Sequence, residues 1–201
     1  MGTEERMDCQ HNQITLYTAQ TDEVVHLLLE QEYHYVKQEY IVRKYEEVSA
    51  VFLQAYSWYI ENAQRISPKP EEAESAIWTF CDIKYLEYHS GCQILKLSVP
   101  LENAVFFRMS DWNKVLNLRY IGETAEEEAI FAAKLAHYGI HYEGDVYTTP
   151  FYPQFKKELR DSWQRLFRYN QEIKETGSYL YPDMQAGLWY LDRQWIQQIV
   201  P

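Results

Sequence analysis

Apolar and polar residues alternate from Gln13 to Ala19, with Ile14 and Leu16 set against Thr15 and Tyr17, a period-two pattern that predicts a strand. Thr21 or Asp22 can cap a helix to about Glu32, with Val24, Val25, Leu28 and Leu29 on one side. Tyr33–Tyr40 reads equally as strand or helix. Val48, Val51, Phe52, Ala55, Tyr59, Ala63 and Ile66 then form one apolar stripe, which predicts a helix from about Tyr45 to Ile66. Pro68 and Pro70 end it. Strands are predicted at Ser75–Phe80, Gln93–Val99 and Ala104–Met109. Ser110 offers an N-cap to a short helix, Asp111–Asn117. Thr124 and Glu127 have capping-box spacing, and the alanine-rich helix they open is closed by Gly139.

The turn-rich stretch 140–149 leads to a helix over about Tyr152–Tyr169, with Phe155, Leu159, Trp163 and Leu166 facing inward. Glu175–Asp183 reads as loop, Ala186–Leu191 as strand, and Trp195–Val200 as strand or a last helical turn. Helices and strands mix without βαβ alternation. The expectation is an α+β fold: one domain over residues 13–201, a mixed or antiparallel sheet flanked by helices, after a flexible stretch at residues 1–12.

Composition changes this picture in one respect: aromatics reach 16%, with 18 Tyr and 6 Trp, so the core is wide and polar-edged. The net charge of −11 is unevenly spread, with −12 up to Pro150 and +1 after it, and such an acidic body disfavours duplex nucleic acid. Cys9, Cys81 and Cys92 form no C-x-x-C pair, the first residues carry no apolar leader, and no apolar run approaches a membrane span. These features fit a cytoplasmic protein with reduced thiols.

Motifs for nucleotide loops, nucleophile elbows, zinc proteases and kinases are missing. Cys81, His89, Cys92, His137 and His141 lack the paired spacing of a zinc site, so no metal is expected. The least ordinary polar groups are Tyr17, Thr18 and Gln20 on the first strand and Gln185 opening the late one. With Trp78, Trp112 and Trp189 nearby as stacking surfaces, they suit a planar heterocycle. Arg43, Arg65 and Arg108 are candidate partners for a phosphate or carboxylate. The structural alternative is that these groups satisfy one another in the core.

Leu16-Tyr17-Thr18-Ala19-Gln20, Ala55-Tyr56-Ser57-Trp58, Ile77-Trp78, Val99-Pro100, Ser110-Asp111-Trp112 running to Val115-Leu116-Asn117, Ser162-Trp163 with Phe167, and Gln185-Ala186 with Trp189 follow one another in order. This succession resembles a bacterial domain family of unknown function. More distantly, the opening strand and helix, the mid-chain V-P bend and the late Q-A strand resemble ADP-ribosyltransferase-like domains. That resemblance implies NAD as ligand, with Tyr17, Thr18 and Gln20 near the nicotinamide and Gln185 on the catalytic strand. It also implies a glutamate on that strand, where this chain has Gln185 or Gly187. A neutral amide can position an acceptor but supplies no charge. Two readings follow: an NAD- or nucleotide-binding domain with Gln20 on its first strand and Gln185 on its late strand as candidate catalytic residues, or a non-catalytic module whose aromatic cleft holds a protein partner or metabolite.

Overall fold

A computed structural model describes residues 12–37 and 49–200 of the 201-residue chain. Strand β1 (Gln13–Thr21) passes directly into helix α1 (Asp22–Gln31), whose start is fixed by the Thr21 hydroxyl accepting the Val24 N–H at 3.3 Å. A two-residue strand β2 (Tyr33–His34) follows. Helix α2 (Ser49–Ala63) buries Ala55, Tyr56, Trp58, Tyr59 and Ala63, a face broader than a single stripe because it abuts sheet and helices together. The expected helix start at Tyr45, Arg43 and all but Asn12 of the expected flexible stretch lie outside the described residues.

Strands β3 (Ile77–Phe80), β4 (Cys92–Pro100) and β5 (Ala104–Arg108) come next, then helix α3 (Met109–Leu116). Helix α4 (Ala125–His137) is opened by Thr124 accepting the Glu127 N–H. It ends as Gly139 turns to φ 76°, with Ile140 N–H donating to Leu135 O and Gly139 N–H to Ala136 O. A helical turn at Asp145–Thr148 precedes helix α5 (Pro153–Ser162), which tightens into a 3-10 segment over Trp163–Phe167. Helix α6 (Asn170–Thr176), strand β6 (Met184–Leu188), strand β7 (Leu191–Asp192) and strand β8 (Ile196–Val200) complete the order.

The main sheet is antiparallel throughout, in the order β5-β6-β3-β1-β4-β8, while β2 and β7 form a small second ladder. The α+β expectation is met. Three details differ from the sequence reading. Helix α3 begins at Met109, and its N-terminus is capped from a distant segment: Asp183 accepts the Met109 N–H through its carbonyl and the Ser110 N–H through its carboxylate, so Ser110 is not the cap. The single helix expected over 152–169 is α5 plus the 3-10 segment, with a separate α6 beyond. The late strand starts at Met184 and ends at Leu188.

One face of the sheet carries an aliphatic core with α1 and α6: Leu16, Leu95, Leu97, Val99, Phe106 and Ile173. The other carries an aromatic block with α2, α3, α4 and α5: Tyr59, Phe107, Trp112, Phe131 and Trp163. At about 25 cal/mol per Å² of apolar area, rings of this size dominate the energy of the second layer.

Candidate functional site

The sheet is two three-stranded halves joined at one place. Strand β1 runs in continuous register with β4, from Gln13 opposite Pro100 to Thr21 opposite Cys92, but it meets β3 only at Tyr17 opposite Phe80. That junction lies on a transverse row crossing every strand. Gln198 stands opposite Lys96, Lys96 opposite Tyr17, Tyr17 opposite Phe80, Phe80 opposite Gln185, and Gln185 opposite Phe107. Residues paired across a sheet point to one face, so this row belongs to the aromatic side.

The register divides the residues singled out from the sequence. Tyr17, Trp78 and Gln185 share the aromatic face, whereas Thr18 and Gln20 point to the aliphatic one. There Gln20 Nε2 donates to Thr18 Oγ1 at 2.8 Å, and Thr18 Oγ1 donates to Trp78 O at 3.1 Å. The buried Thr18 hydroxyl thus takes the place of a ladder bond where β1 and β3 part. The strand bearing Tyr17 and the strand bearing Gln185 are not neighbours; β3 lies between them.

Trp78, half-buried, donates from Nε1 to Tyr56 Oη at 3.0 Å, and its ring meets Tyr59 at 4.8 Å and Trp112 at 4.9 Å. Trp112 and Trp189 are interior, at 4% and 3% exposure, and Trp189 Nε1 donates to Ser67 O at 2.7 Å. Arg65 is exposed on the turn after α2, 3.8 Å from Glu61. Two buried polar atoms on this part of the face, the Tyr59 hydroxyl and Gln185 Oε1, have no partner among the described residues. Burial pushes the Tyr59 hydroxyl well above the ordinary tyrosine pKa, so it stays a neutral donor. Gln185 itself is 5% exposed. A buried acceptor with nothing to accept from is costly and rare.

Gly187, two residues along the same face, fits only as glycine. A Cβ there would fall inside van der Waals distance of Tyr59 Oη, 3.0 Å from Tyr59 Cζ and 3.1 Å from the Trp78 ring. Of the two positions on β6 considered for an acid, Gln185 is the one with room for a side chain.

The profile of a domain of unknown function, DUF3841, matches residues 15–197, from within β1 to within β8. The chain belongs to this family. No curated protein and no solved structure matches it. The DUF3841 match reaches every strand of the sheet, and the residue blocks read from the sequence fall on β1, α2, β3, β4, α3, the 3-10 segment and β6.

Sequence reasoning missed the ion-pair cluster beside α3 of the DUF3841 domain. Asp111, 2% exposed, receives Arg168 Nη2 at 2.8 Å, and Arg108 Nε reaches Asp183 Oδ1 at 3.0 Å with its guanidinium 4.1 Å from the Tyr181 ring centre. Arg165 joins Glu127 and Glu123, and Tyr120 donates to Glu127 at 2.7 Å. Each guanidinium already faces a carboxylate, which makes this a clasp between α3, the 118–124 loop and the 3-10 segment. A groove of about 580 Å³ between α4 and the 140–143 loop contains the half-buried Glu143, whose carboxylate accepts the Tyr120 N–H at 2.6 Å. Burial raises the Glu143 pKa.

The clasp sets an acid limit. Burial works against the Asp183 carboxylate, but the bonds from Arg108 and Ser110 outweigh it and hold its pKa below the ordinary 3.8. A depressed folded pKa contributes stability that is present above the unfolded value and is lost as pH falls through the folded one. Thermal melts between pH 7 and pH 2 are therefore expected to show Asp183→Asn less stable than wild type at neutral pH. The two curves converge below about pH 3.8. Parallel curves would assign the acid limit to other groups.

Proposed function

We propose that this DUF3841 domain is an ADP-ribosyltransferase-like domain that binds NAD or a related nucleotide at the junction of its two half-sheets. The observation that carries this reading is the solvent-free, unpartnered Gln185 Oε1 on the same transverse row as Tyr17 and Phe80. An orphaned acceptor beside the half-buried Phe80 ring, with the half-buried Tyr17 ring one strand further along the row, fits a planar group with an N–H donor at its edge, such as the carboxamide of nicotinamide. Tyr17 and Phe80 provide the stacking surface, and displacement of the Phe80 ring opens the way to Gln185. Thr18 and Gln20, satisfied on the opposite face, hold β1 against β3 and so position Tyr17.

Gln185 orients a ligand but carries no charge, and Gly187 has no space for an acid, so the strand lacks the anion that would stabilise an oxocarbenium-like transition state. The reading is therefore a binding domain with weak or no transferase activity. The alternative, an aromatic cleft for a partner around Trp78, Trp112 and Trp189, calls for exposed rings, and two of the three are interior.

Calorimetric titration with NAD tests the proposal. Wild type is expected to bind, and Gln185→Leu to weaken binding about tenfold, the equivalent of about 1.4 kcal/mol. The ligand-free Gln185→Leu protein is expected to melt at the wild-type temperature or above, because a buried unsatisfied acceptor is removed. No heat of binding to wild type at millimolar NAD would sink the reading.

A further inference from the structure

The aromatic block covers only half of its face of the sheet. It holds Val105 and Phe107 of β5, with Trp78 of β3 packed against it, and no residue of β1, β4 or β8. On that uncovered half, Thr15, Tyr17 and Ala19 of β1 and Ile94, Lys96 and Ser98 of β4 are all only partly buried. Among the described residues the result is a step: a floor of two paired strands that no described helix is packed on, bounded beyond the Tyr17–Phe80 junction by the packed rings that begin at Trp78.

Lys96 is the one charge on the floor formed by those six residues, in a chain whose net charge is −11. It makes no hydrogen bond and no ion pair among the described residues. Every other described lysine holds a carboxylate or a backbone carbonyl: Lys37 with Glu74, Lys114 with Glu128, Lys134 with Glu158 and Lys174 with Glu102 O are examples. The same holds for Lys69, Lys84, Lys156 and Lys157. Around Lys96 the floor offers the hydroxyls of Thr15, Tyr17 and Ser98 and no carboxylate. Ser98 Oγ donates to Gln13 Oε1 at 2.7 Å. An ammonium unpaired among the described residues, beside the Thr15 and Tyr17 hydroxyls, matches a phosphate and repels a cation.

Lys96 also lies on the row that contains Gln185, with Tyr17 and Phe80 between them. Three strand spacings separate their Cα atoms, roughly 14 Å at ~4.8 Å each, and both side chains stand on the same face of the sheet. We infer that Lys96 is the specificity residue of this site and that it reads a phosphate. The ligand class is then a nucleotide whose planar end meets Gln185 and whose phosphate lies over β4. This deepens the reading of the Gln185 site and rests on it.

Titration of wild type, Lys96→Ala and Lys96→Arg with nicotinamide mononucleotide, nicotinamide riboside and inorganic phosphate tests it. Wild type is expected to bind the mononucleotide at least about tenfold more tightly than the riboside, the range of one charge-assisted hydrogen bond. Lys96→Ala should erase that preference, lose the salt sensitivity of mononucleotide binding and leave riboside affinity in place. Lys96→Arg should keep most of it. Melting temperatures of both variants should match wild type, since the side chain holds no other group among the described residues. An unchanged preference in Lys96→Ala overturns the role of Lys96 while the Gln185 site stands. Inorganic phosphate binding as tightly as the mononucleotide also overturns it, by showing a free-anion site. Failure of wild type to bind either nicotinamide compound overturns both readings.

Discussion

Replacing Asp111 with alanine is expected to cost about 3–5 kcal/mol of stability, the range for removing one partner from a buried ion pair. At roughly 2–4 °C per kcal/mol for a chain of this size, the melting temperature should fall by roughly 6–20 °C. The reason lies in what Arg168 would face. Its Nη2 reaches Asp111 at 2.8 Å, its Nη1 reaches Glu123 and Gly122 O at 3.3 Å each, and its Nε is buried with no partner. Lys114 also approaches Asp111, at 3.8 Å. Without the carboxylate, the inner side of the guanidinium loses its counter-charge in a place water does not reach. Asp111 also stands in the first turn of α3, where a negative group complements the helix dipole. The double variant Asp111→Ala/Arg168→Leu should lose less than the sum of the singles, because both charges leave together. A loss under about 1 kcal/mol for Asp111→Ala would place the pair with screened surface bridges.

The same residue shows what a local reading of sequence reaches. Asp111 was legible as a first-turn acid, but its partner Arg168 lies in the turn after the 3-10 segment and the cap of its helix comes from Asp183. Contacts between distant segments leave no local signal. Where the determinants are local, the sequence sufficed: β1 and the Thr21 cap, the Thr124 cap of α4 and the Gly139 closure stand as expected. Helix α6 escaped notice because only Asn170 and Ile173 of it are buried, too few to make a stripe. Strand β6 is buried at every position, so no alternation marked its start at Met184.

The candidate site was legible in part. Tyr17 and Gln185 do share a face. That Thr18 and Gln20 lie on the other follows from the period of two alone, since odd and even positions of one strand cannot face the same ligand. Lys96 drew no notice because its meaning depends on register, on β4 lying beside β1 with Lys96 opposite Tyr17. The tryptophans illustrate the opposite case: the excess of aromatic residues suggested a cleft, and Trp112 and Trp189 lie in the core.

Gly187→Ala is the second large effect, expected at about 3 kcal/mol or slightly more, the upper part of the range for overpacking a tight core. The added methyl meets Tyr59 Oη and then Cζ, on a ring that is 1% exposed. That ring cannot retreat, because Trp78, Phe107, Trp112 and Phe167 surround it with centroids between 4.8 and 5.8 Å away. Tyr59→Phe alone should be neutral or stabilising by up to about 1 kcal/mol, since it deletes a buried hydroxyl without a partner. Combined with Gly187→Ala it should recover more than half of the loss, leaving the residue due to the ring carbon and the Trp78 edge. Chemical denaturation of the four proteins measures this coupling directly. If Tyr59→Phe gives no recovery, strain in β6 itself sets the requirement for glycine. The outcome bears on function as well as stability. Should the hydroxyl be the obstacle, the closure of position 187 to an acid is enforced by Tyr59, and the neutral Gln185 is the β6 side chain left facing the proposed site.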